Sequence, residues 1–543
     1  MTVEDLRVHP PGPDADRSGR PAPPGARRGL RRATAVAIGL ALTIGVVARF
    51  FTVSHLWLDE ALTVNIARLP VGAMFRALRH DGAPPLFYLL LHGWMDMAGT
   101  GDVAARALPG LFSVASLPLM GLVGRRLVGG GATTPTGPAA RWVSWAGVLL
   151  LASSPFAIHY ATEVRMYSLV ILLVLAGFLA LDTLRQRSSW PASVGLGLVT
   201  GLLLLTHYWA FFLVGAVAGL LALRWRQSGA RRALLAMAVG SLLFVPWLPS
   251  FLEQMRATGT PWGTPPKPRA VFDIVLQFGA GLPDTAVPLG LLLYALLALG
   301  LFGFVATAGV GAGDGARGIV TLDLRGRPPG RMLAAAAGLT MALAVVVGQV
   351  TQSAFAIRYA AVVFPLVLLL AALGSATLAG TWRGPLVLGL AVALGFATAI
   401  PNAAGDRTSA GKVAAALRAE AHPGDVVAYC PDQLGPSVSR LLESTPGLRQ
   451  LTFPRATPPQ LVDWVGYEAA NQAPPAPFAR MLVDLAGPAR TVWVVWAPNY
   501  RTFGTRCQAL LTDLRALRPA ERRAVKVSTK DLERPGLVEY RPN

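Results

Sequence analysis

A few ionisable and aromatic residues interrupt the long apolar segments of this chain, and their types could support proton transfer and phosphate binding. Asp59 and Glu60 are adjacent in the segment HLWLDEALTVNIARL (55–69), which follows the first apolar run. A carboxylate close to a hydroxyl group can remove its proton, and arginine side chains bind phosphate groups. Other polar residues stand at later interruptions of the apolar pattern: His80, Asp81, Arg106, Glu163, Arg165, Tyr167, His207, Tyr208, Arg358 and Tyr359.

The composition places these residues in a membrane protein. The 543 residues are 53% hydrophobic and only 14% charged, whereas a typical soluble domain is about 25% charged. Apolar runs of about 17 to 25 residues, long enough to cross a bilayer, recur along the chain. The formal net charge is +20. Because the arginines mostly separate apolar segments, as membrane orientation requires, this charge argues against nucleic acid as a partner.

The apolar runs predict a polytopic α-helical membrane protein with about eleven spans and a membrane domain at 33–401. The polar residues 1–32 are expected to form a disordered cytoplasmic tail, because the first apolar run begins too late for a usual cleavable signal peptide. With the amino terminus inside, the arginine-rich loops fall on the cytoplasmic side of the cell membrane. This alternation of inner and outer loops requires that the apolar stretch 84–98, within a first outer loop at 53–106, does not cross the membrane. We expect it to lie at the outer surface as an interfacial helix. The predicted spans are 33–52, 107–124, 142–158, 166–183, 191–206, 208–224, 233–250, 286–307, 332–350, 360–379 and 385–401.

The polar residues 402–543 are predicted to form a small extracytoplasmic α/β domain, since an odd number of crossings places them outside. Two strand-like patterns, DVVAYC (425–430) and TVWVVW (491–496), are each followed by a helix-compatible segment. Both cysteines, Cys430 and Cys507, lie in this part. In an oxidising exterior they could form a disulfide, and two buried free thiols are an equal alternative.

With this topology the polar interruptions gather at one membrane face. Each residue alone could be an interfacial anchor or a snorkelling arginine. Together, the acids and arginines favour one aqueous pocket, because ionisable groups at this depth are costly unless they are paired or solvated. A divalent metal held by Asp59, His80, Asp81 or His207 is an alternative, although the spacing matches no known ligand motif.

These segments resemble the GT-C superfamily of polyprenyl-phosphate-sugar-dependent glycosyltransferases, close to the protein O-mannosyltransferase-like group, family 39. The resemblance covers about the first 400 residues. WLDEA (57–61) followed by EVRMYSL (163–169) is fairly specific to that group. The other segments that carry the resemblance are HDGAPPLFYLLLHGW (80–94), ARALPGLFSV (105–114), GRRLVG (124–129), SSPFAIHYATEVRMYSL (153–169) and IRY (357–359).

The resemblance implies the transfer of a sugar, with inversion, from a polyprenyl-phosphate-linked donor in the bilayer to an acceptor that arrives from outside. The family's first-loop acid corresponds to Asp59, as the general base, with Glu60 beside it. Arg165, Arg358 and Arg106 are then expected to bind the donor phosphate. The residues expected to line the substrate pocket are His80, Asp81, Glu163, Tyr167, His207, Tyr208 and Tyr359.

Two departures from the family pattern leave the acceptor open between a glycan, a lipid and a protein. His80-Asp81-Gly82-Ala83 lacks the lysine found at the equivalent place in lipid A aminoarabinose transferases, and the carboxyl-terminal part lacks the MIR repeats of eukaryotic protein mannosyltransferases. The alternative function is a transporter or flippase of a lipid-linked or anionic substrate, since many spans and intramembrane charges are compatible with transport.

Overall fold

Helices dominate the part of the chain before residue 405. The computed structural model describes residues 24–129, 137–258, 263–280, 287–306 and 319–542. Most of the predicted tail 1–32 lies outside these ranges. The helices are α1 (Pro24–Ala48), α2 (Leu58–Ala67), α3 (Val71–Asp81), α4 (Leu86–Ala98), α5 (Asp102–Val128), α6 (Pro138–Ser153), α7 (Pro155–Ala161), α8 (Tyr167–Gln186), α9 (Trp190–Thr206), α10 (Ala210–Ala222), α11 (Ser228–Ser241), the 3-10 helix η1 (Leu242–Trp247), α12 (Leu248–Ala257), α13 (Ala270–Ala280), α14 (Val287–Phe302), α15 (Pro328–Thr351), the 3-10 helix η2 (Ile357–Val362), α16 (Phe364–Ala376) and α17 (Arg383–Ala404).

The chain is a multi-pass membrane protein. Within the described ranges, five helical segments are long and apolar enough to cross a membrane: α5, α8, the run Ser228–Ala257 formed by α11, η1 and α12, α15, and α17. The pair α6 and α7 is a sixth candidate. The shorter apolar helices are Arg32–Ala48, α9, α10, Ala270–Gly279, α14 and α16. The count of eleven spans stays a prediction.

The predicted single span 142–158 is instead two helices, α6 and α7, which meet at a bend of 56°. Ser154 caps α7, because its Oγ accepts a hydrogen bond from the Ala157 N–H at 3.3 Å. Pro155 has no N–H and cannot continue the hydrogen-bond ladder of α6. The bend turns the chain so that the backbone N–H of Val164 reaches Glu60 in α2.

One apolar helix, α13, was not predicted from the sequence. Its 11 residues span about 16 Å, which is shorter than the hydrocarbon core of about 30 Å. The buried ring of Phe278 lies 4.9 Å from that of Phe156 in α7 and 5.0 Å from that of Phe364 in α16. Aromatic packing therefore holds this short helix inside the bundle.

The segment 53–106, predicted as the first outer loop, contains α2, α3 and α4, and the helix predicted at 84–98 is present as α4. Gly82 ends α3 in the left-handed region, with φ of +79°, and its N–H donates to the Leu78 carbonyl at 3.1 Å. Glycine adopts this conformation without a Cβ clash. The turn at Gly82 reverses the chain, so that α4 runs back beside α2.

The residues after 405 form a five-stranded sheet with helices. The strands are β3 (Val426–Cys430), β4 (Arg449–Thr452), β5 (Val492–Trp496), β6 (Glu521–Val525) and β7 (Gly536–Tyr540), in the spatial order β4-β3-β5-β7-β6; a separate hairpin pairs β1 (Gly303–Ala306) with β2 (Ile319–Leu322). Strands β4, β3 and β5 are parallel, and β7 is antiparallel to both β5 and β6. The helices are α18 (Ala410–Glu420), the 3-10 helix η3 (Asp432–Leu434), α19 (Gly435–Leu441), α20 (Tyr467–Ala470), α21 (Pro475–Ala486) and α22 (Arg506–Leu517).

Alternate residues of the central strands pack on opposite faces of this sheet, as strand geometry requires. Val426 and Ala428 belong to the large cluster of buried apolar side chains that extends into the membrane helices. Val427 and Tyr429 belong to a second cluster on the other face. The sheet therefore shares its core with the helical part of the chain on one side.

Polar contacts join the sheet region to the first outer loop. His80 Nδ1 lies 2.9 Å from Asp463 Oδ1, and Asn65 Nδ2 donates to the Gln460 carbonyl at 2.8 Å. The extracytoplasmic position of this region and the domain boundary at 402 stay predictions.

Cys430 at the end of β3 and Cys507 in α22 form a disulfide. The sequence left this pairing open, because it could not supply the distance between the two side chains. The bond closes a loop with a sequence separation of 77 residues.

We expect the Cys430→Ser variant to unfold at a lower temperature than the wild type, because a crosslink over a loop of this length contributes about 4 kcal/mol by restricting the unfolded chain. Thermal unfolding of the intact protein in detergent would measure the shift. The Cys430→Ser/Cys507→Ser variant is the control, since it removes the same bond without leaving a free thiol. Two unpaired thiols in a peptide map of protein made in an oxidising compartment would contradict the pairing.

Candidate active site

Glu60 is a fully buried carboxylate, and the protein itself pairs it. Arg106 Nε and Nη2 donate to Glu60 Oε1 and Oε2 at 2.8 and 2.6 Å, and the Val164 N–H donates to Oε1 at 3.0 Å. The third nitrogen of Arg106 donates to the Ser54 carbonyl at 2.5 Å. Because a buried charge is costly unless it is paired, these bonds fix α2, α5 and the turn after α7 relative to one another.

Arg407, which the sequence analysis did not single out, completes this buried network from the carboxyl-terminal side of α17. Its Nη1 and Nη2 donate to the carbonyl and the hydroxyl of Thr162 at 2.9 and 2.6 Å, and Nη1 lies 3.9 Å from Glu60 Oε2. Burial lowers the pKa of Arg407 below its ordinary value, although Glu60 and Glu163 oppose the change. The sequence signal that could have identified Arg407 is its position just outside the last predicted span, on the side where the positive-inside bias disfavours arginine.

Asp59 faces a different partner from its neighbour, because consecutive helical residues point about 100° apart. Arg358 Nη2, in η2, lies 3.3 Å from Asp59 Oδ2. The two side chains are 18% and 21% exposed, so this ion pair is partly buried, and Asp59 Oδ2 itself has almost no contact with solvent. Burial acts to lower the pKa of Arg358, but Asp59 and nearby tyrosines outweigh it and raise the pKa.

Arg165 lies beside the same pair and connects it to Asp81. Arg165 Nη1 donates to Thr63 Oγ1 at 2.8 Å and to the Tyr88 hydroxyl at 3.4 Å, and Tyr88 donates to Asp81 Oδ2 at 2.8 Å. Burial raises the pKa of Asp81, against the opposing charge of Arg165. Burial lowers the pKa of Arg165, but the surrounding tyrosines and acids more than compensate and hold it well above its ordinary value.

A row of aromatic rings borders the two arginines. The ring of His207 lies 5.7 Å from that of Tyr167 and 5.4 Å from that of Tyr359, and Arg358 Cζ lies 5.8 Å from the centre of the Tyr359 ring. Burial, followed by the charges of Arg165 and Arg358, lowers the pKa of His207 to about 3. His207 is therefore neutral near pH 7, and its Nδ1 accepts a hydrogen bond from the Trp209 N–H at 3.1 Å.

Glu163 is buried behind this row and pairs with a histidine. Its Oε2 lies 3.0 Å from His159 Nε2, and the two side chains are 2% and 6% exposed. Burial raises the pKa of Glu163, but His159, Arg407 and Arg358 together bring it below its ordinary value. Glu163 is thus a charged neighbour of the site.

Two of the predicted pocket residues point away from Asp59. His80 is half exposed and pairs with Asp463 in the sheet region. The Tyr208 hydroxyl donates to Gln254 and accepts from Trp247 Nε1 at 2.9 Å, so that it ties η1 and α12 together. The other predicted residues, Asp59, Asp81, Arg165, Tyr167, His207, Arg358 and Tyr359, form the group described above, with Glu60, Arg106 and Glu163 behind it.

The carboxyl-terminal part brings a further buried carboxyl close to Asp59. Glu533 Oε1 accepts a hydrogen bond from Ser437 Oγ at 2.8 Å, and Thr408 Oγ1 donates to Oε2. Burial raises the pKa of Glu533 to about 8 against these hydrogen bonds, and the charge of Asp59 adds to the rise. No sequence pattern points to Glu533, because it lies more than 470 residues from Asp59 in a polar stretch.

This arrangement can hold an anion and accept a proton. Arg165 Nε and the Tyr167 hydroxyl are buried and make no hydrogen bond within the described residues. Arg358 pairs with Asp59, and Arg165 lies near Asp59 and Asp81. A bound phosphate would share the charge of both arginines. In the described ranges no three His, Cys, Asp or Glu side chains come close enough to hold an ion. The divalent metal named in the sequence analysis stays an alternative there and no more.

Solved structures with the same arrangement of helices identify the fold. The crystal structure of ArnT from Cupriavidus metallidurans bound to undecaprenyl phosphate matches with a TM-score of 0.57 and 14% identity, over 93% of this chain and 97% of that chain. The apo structure of the same protein matches with a TM-score of 0.56 and 15% identity, over 94% and 98%. The chain has the GT-C fold.

The resemblance seen in the sequence motifs is therefore confirmed for the GT-C fold, over nearly the whole chain including the carboxyl-terminal sheet region. No protein-family model and no curated protein sequence matches the chain. At identities this low the likeness shows the fold, and the chemistry has to be argued from the residues of the site.

The Glu60→Gln variant is expected to lower the free energy of unfolding by about 3 to 5 kcal/mol, because it leaves the buried Arg106 charge without its partner. The matched control is Arg68→Ala, which removes an exposed ion pair with Glu443 and should cost less than about 1 kcal/mol. Thermal and chemical unfolding in the same detergent would compare them. Equal losses for both variants would show that the Glu60–Arg106 pair does not hold the site together.

Proposed function

We propose that this chain is a membrane glycosyltransferase that moves a sugar from a polyprenyl-phosphate-linked donor to an acceptor, with inversion at the anomeric carbon. The observation that carries the proposal is the partly exposed Asp59–Arg358 pair with Arg165 beside it, at one end of the membrane helices. The GT-C fold supports it, because a protein with that fold, ArnT, has been crystallised with undecaprenyl phosphate.

Asp59 is proposed as the general base. Its carboxylate takes the proton of the acceptor hydroxyl as the acceptor oxygen bonds to the anomeric carbon from the face opposite the phosphate. The bond between the anomeric carbon and the phosphate oxygen breaks, and polyprenyl phosphate leaves with the electron pair. Attack from the opposite face inverts the configuration.

Arg358 and Arg165 are proposed to bind the donor phosphate and to stabilise the charge that grows on it as the bond breaks. Both lie next to Asp59, so that base and leaving group can be one sugar apart. Arg106, which was predicted for the same role, is instead proposed as a positioning residue together with Glu60, because each of its nitrogens already donates to Glu60 or to a backbone carbonyl.

Asp81, Tyr167, His207 and Tyr359 are proposed to line the sugar pocket. A neutral imidazole and phenol groups suit hydrogen bonds to sugar hydroxyls. Glu163 lies behind this wall and acts on it through charge. His80 and Tyr208 are proposed to support the loop from outside the pocket, since their polar atoms bond to the sheet region and to α12.

The acceptor is proposed to approach from the side of the sheet region, since His80–Asp463 and Asn65–Gln460 join that region to the loop that carries Asp59. A glycan, a lipid and a protein remain the candidate acceptors. We also propose that this side is extracytoplasmic and that the amino terminus is cytoplasmic, because the arginine-rich loops are at the other end of the helices.

The Asp59→Asn variant should consume a polyprenyl-phosphate sugar donor about 100-fold or more slowly than the wild type, because general-base catalysis typically contributes 10²–10⁴-fold. Release of polyprenyl phosphate by purified protein in nanodiscs would measure the rate. Glu443→Gln, at an exposed pair with Arg68, is the control and should keep full turnover. The anomeric configuration of the product tests inversion separately.

Equal turnover by wild type and Asp59→Asn would remove Asp59 from catalysis. If both proteins bound the donor but consumed none of it while vesicles showed net movement of the lipid, the chain would be a transporter or flippase instead.

A further inference from the structure

A cavity of about 130 Å³ lies between α8, α9, α10, α11, α15 and α16. Its walls are apolar along almost their whole length, with Phe178, Leu203, Val217 and Leu333 among the residues that face it. The polar exceptions are Thr200, Arg185 and Arg224. An apolar cavity with two guanidinium groups is suited to a molecule that carries both a hydrocarbon chain and a negative charge.

The two arginines lie at the end of the bundle opposite the candidate active site. Helix α8 begins at Tyr167, beside His207, and Arg185 lies 18 residues further along it. At about 1.5 Å per residue these positions are about 27 Å apart, which is close to the full hydrocarbon thickness. Arg224 lies two residues beyond the end of α10, and α10 begins three residues after His207. The cavity therefore reaches the leaflet opposite the candidate active site.

Tryptophans mark the headgroup level at this end. Trp190 at the start of α9 is 79% exposed, and Trp225 after α10 is 59% exposed. Exposed tryptophans concentrate at membrane–water interfaces. Arg185 and Arg224 thus lie at the depth where phospholipid phosphates are found.

The arginines at this end have few acidic partners. Among the ion pairs of the described residues, none includes Arg185 or Arg224. Arg185 Nη1 has Met332 Sδ, a weak acceptor, at 3.0 Å. Asp182 is the nearby acid on α8, and it already accepts a hydrogen bond from Gln186 at 2.9 Å. The local charge is therefore positive and complements an anion.

We propose that this cavity binds an anionic glycerophospholipid of the leaflet opposite the active site, with part of one acyl chain between the helices and the phosphate between Arg185 and Arg224. The donor phosphate is a poor match for these two arginines, because it would then lie about 27 Å away from the candidate active site. A zwitterionic phospholipid would fill the apolar space, but its ammonium group would offset the phosphate charge that the two guanidinium groups attract. The site is independent of the proposed enzymatic reaction.

Binding of phosphatidylglycerol to delipidated full-length protein, measured by native mass spectrometry, tests this site, with phosphatidylcholine of the same acyl chains for comparison. The Arg185→Gln/Arg224→Gln variant should bind phosphatidylglycerol roughly 30-fold more weakly, since each arginine near a headgroup contributes about 1 kcal/mol. The matched control is Arg187→Gln/Arg226→Gln, which removes two arginines from the same end that do not line the cavity. The control should bind as the wild type does.

A second variant tests the cavity without touching its charges. Ala336→Trp, in α15, places a large side chain in the cavity and should also weaken phosphatidylglycerol binding, while the thermal unfolding temperature of the delipidated protein shows whether the variant folds. Equal loss in the Arg187→Gln/Arg226→Gln control, equal affinity for phosphatidylcholine, or displacement of phosphatidylglycerol from the wild type by polyprenyl phosphate would each overturn the proposal. The last result would show that the cavity holds the tail of the donor.

Discussion

The buried charge of Glu60 is the constraint on which the rest of the site depends. A carboxylate without access to water is stable only with excellent partners, and here the partners come from three other segments: Arg106 in α5, the Val164 N–H after α7, and Arg407 beyond α17. These contacts bring together pieces that are far apart in sequence. Asp59, the next residue back along α2, is then held at the surface of the cluster and faces Arg358.

Adjacent acids thus have different environments. Glu60 is enclosed and bonded on both oxygens, whereas Asp59 keeps partial exposure, pairs with Arg358 and has Arg165 nearby. The arginines differ in the same way. Each side-chain nitrogen of Arg106 already donates a hydrogen bond within the protein, whereas Arg165 and Arg358 lie beside the partly exposed Asp59. Preorganisation of this kind lets charged groups act on a bound phosphate without a large rearrangement.

The sequence predicted the members of the cluster better than their pairing. Adjacent acids, Arg165 and Arg358 interrupt apolar runs on one side of the topology, and this alone indicates that they meet. Which carboxylate pairs with which arginine depends on helix rotation and side-chain reach, which periodicity does not encode. Glu533 lies in a polar stretch where one more acid gives no signal, and the signal for Arg407 is only its position just outside the last predicted span. Likewise, the helices follow from hydropathy, but the bend at Ser154 and Pro155 and the short helix α13 depend on capping and packing within the bundle.

The structure of the protein with polyprenyl phosphate bound, determined by electron cryomicroscopy in nanodiscs, would locate the phosphate relative to the three arginines. We expect the phosphate to lie between Arg165 and Arg358, with the Asp59 carboxylate on the side where the sugar would be and the Glu60–Arg106 bonds intact. A phosphate bound by Arg106, with Glu60 released from it, would refute these roles.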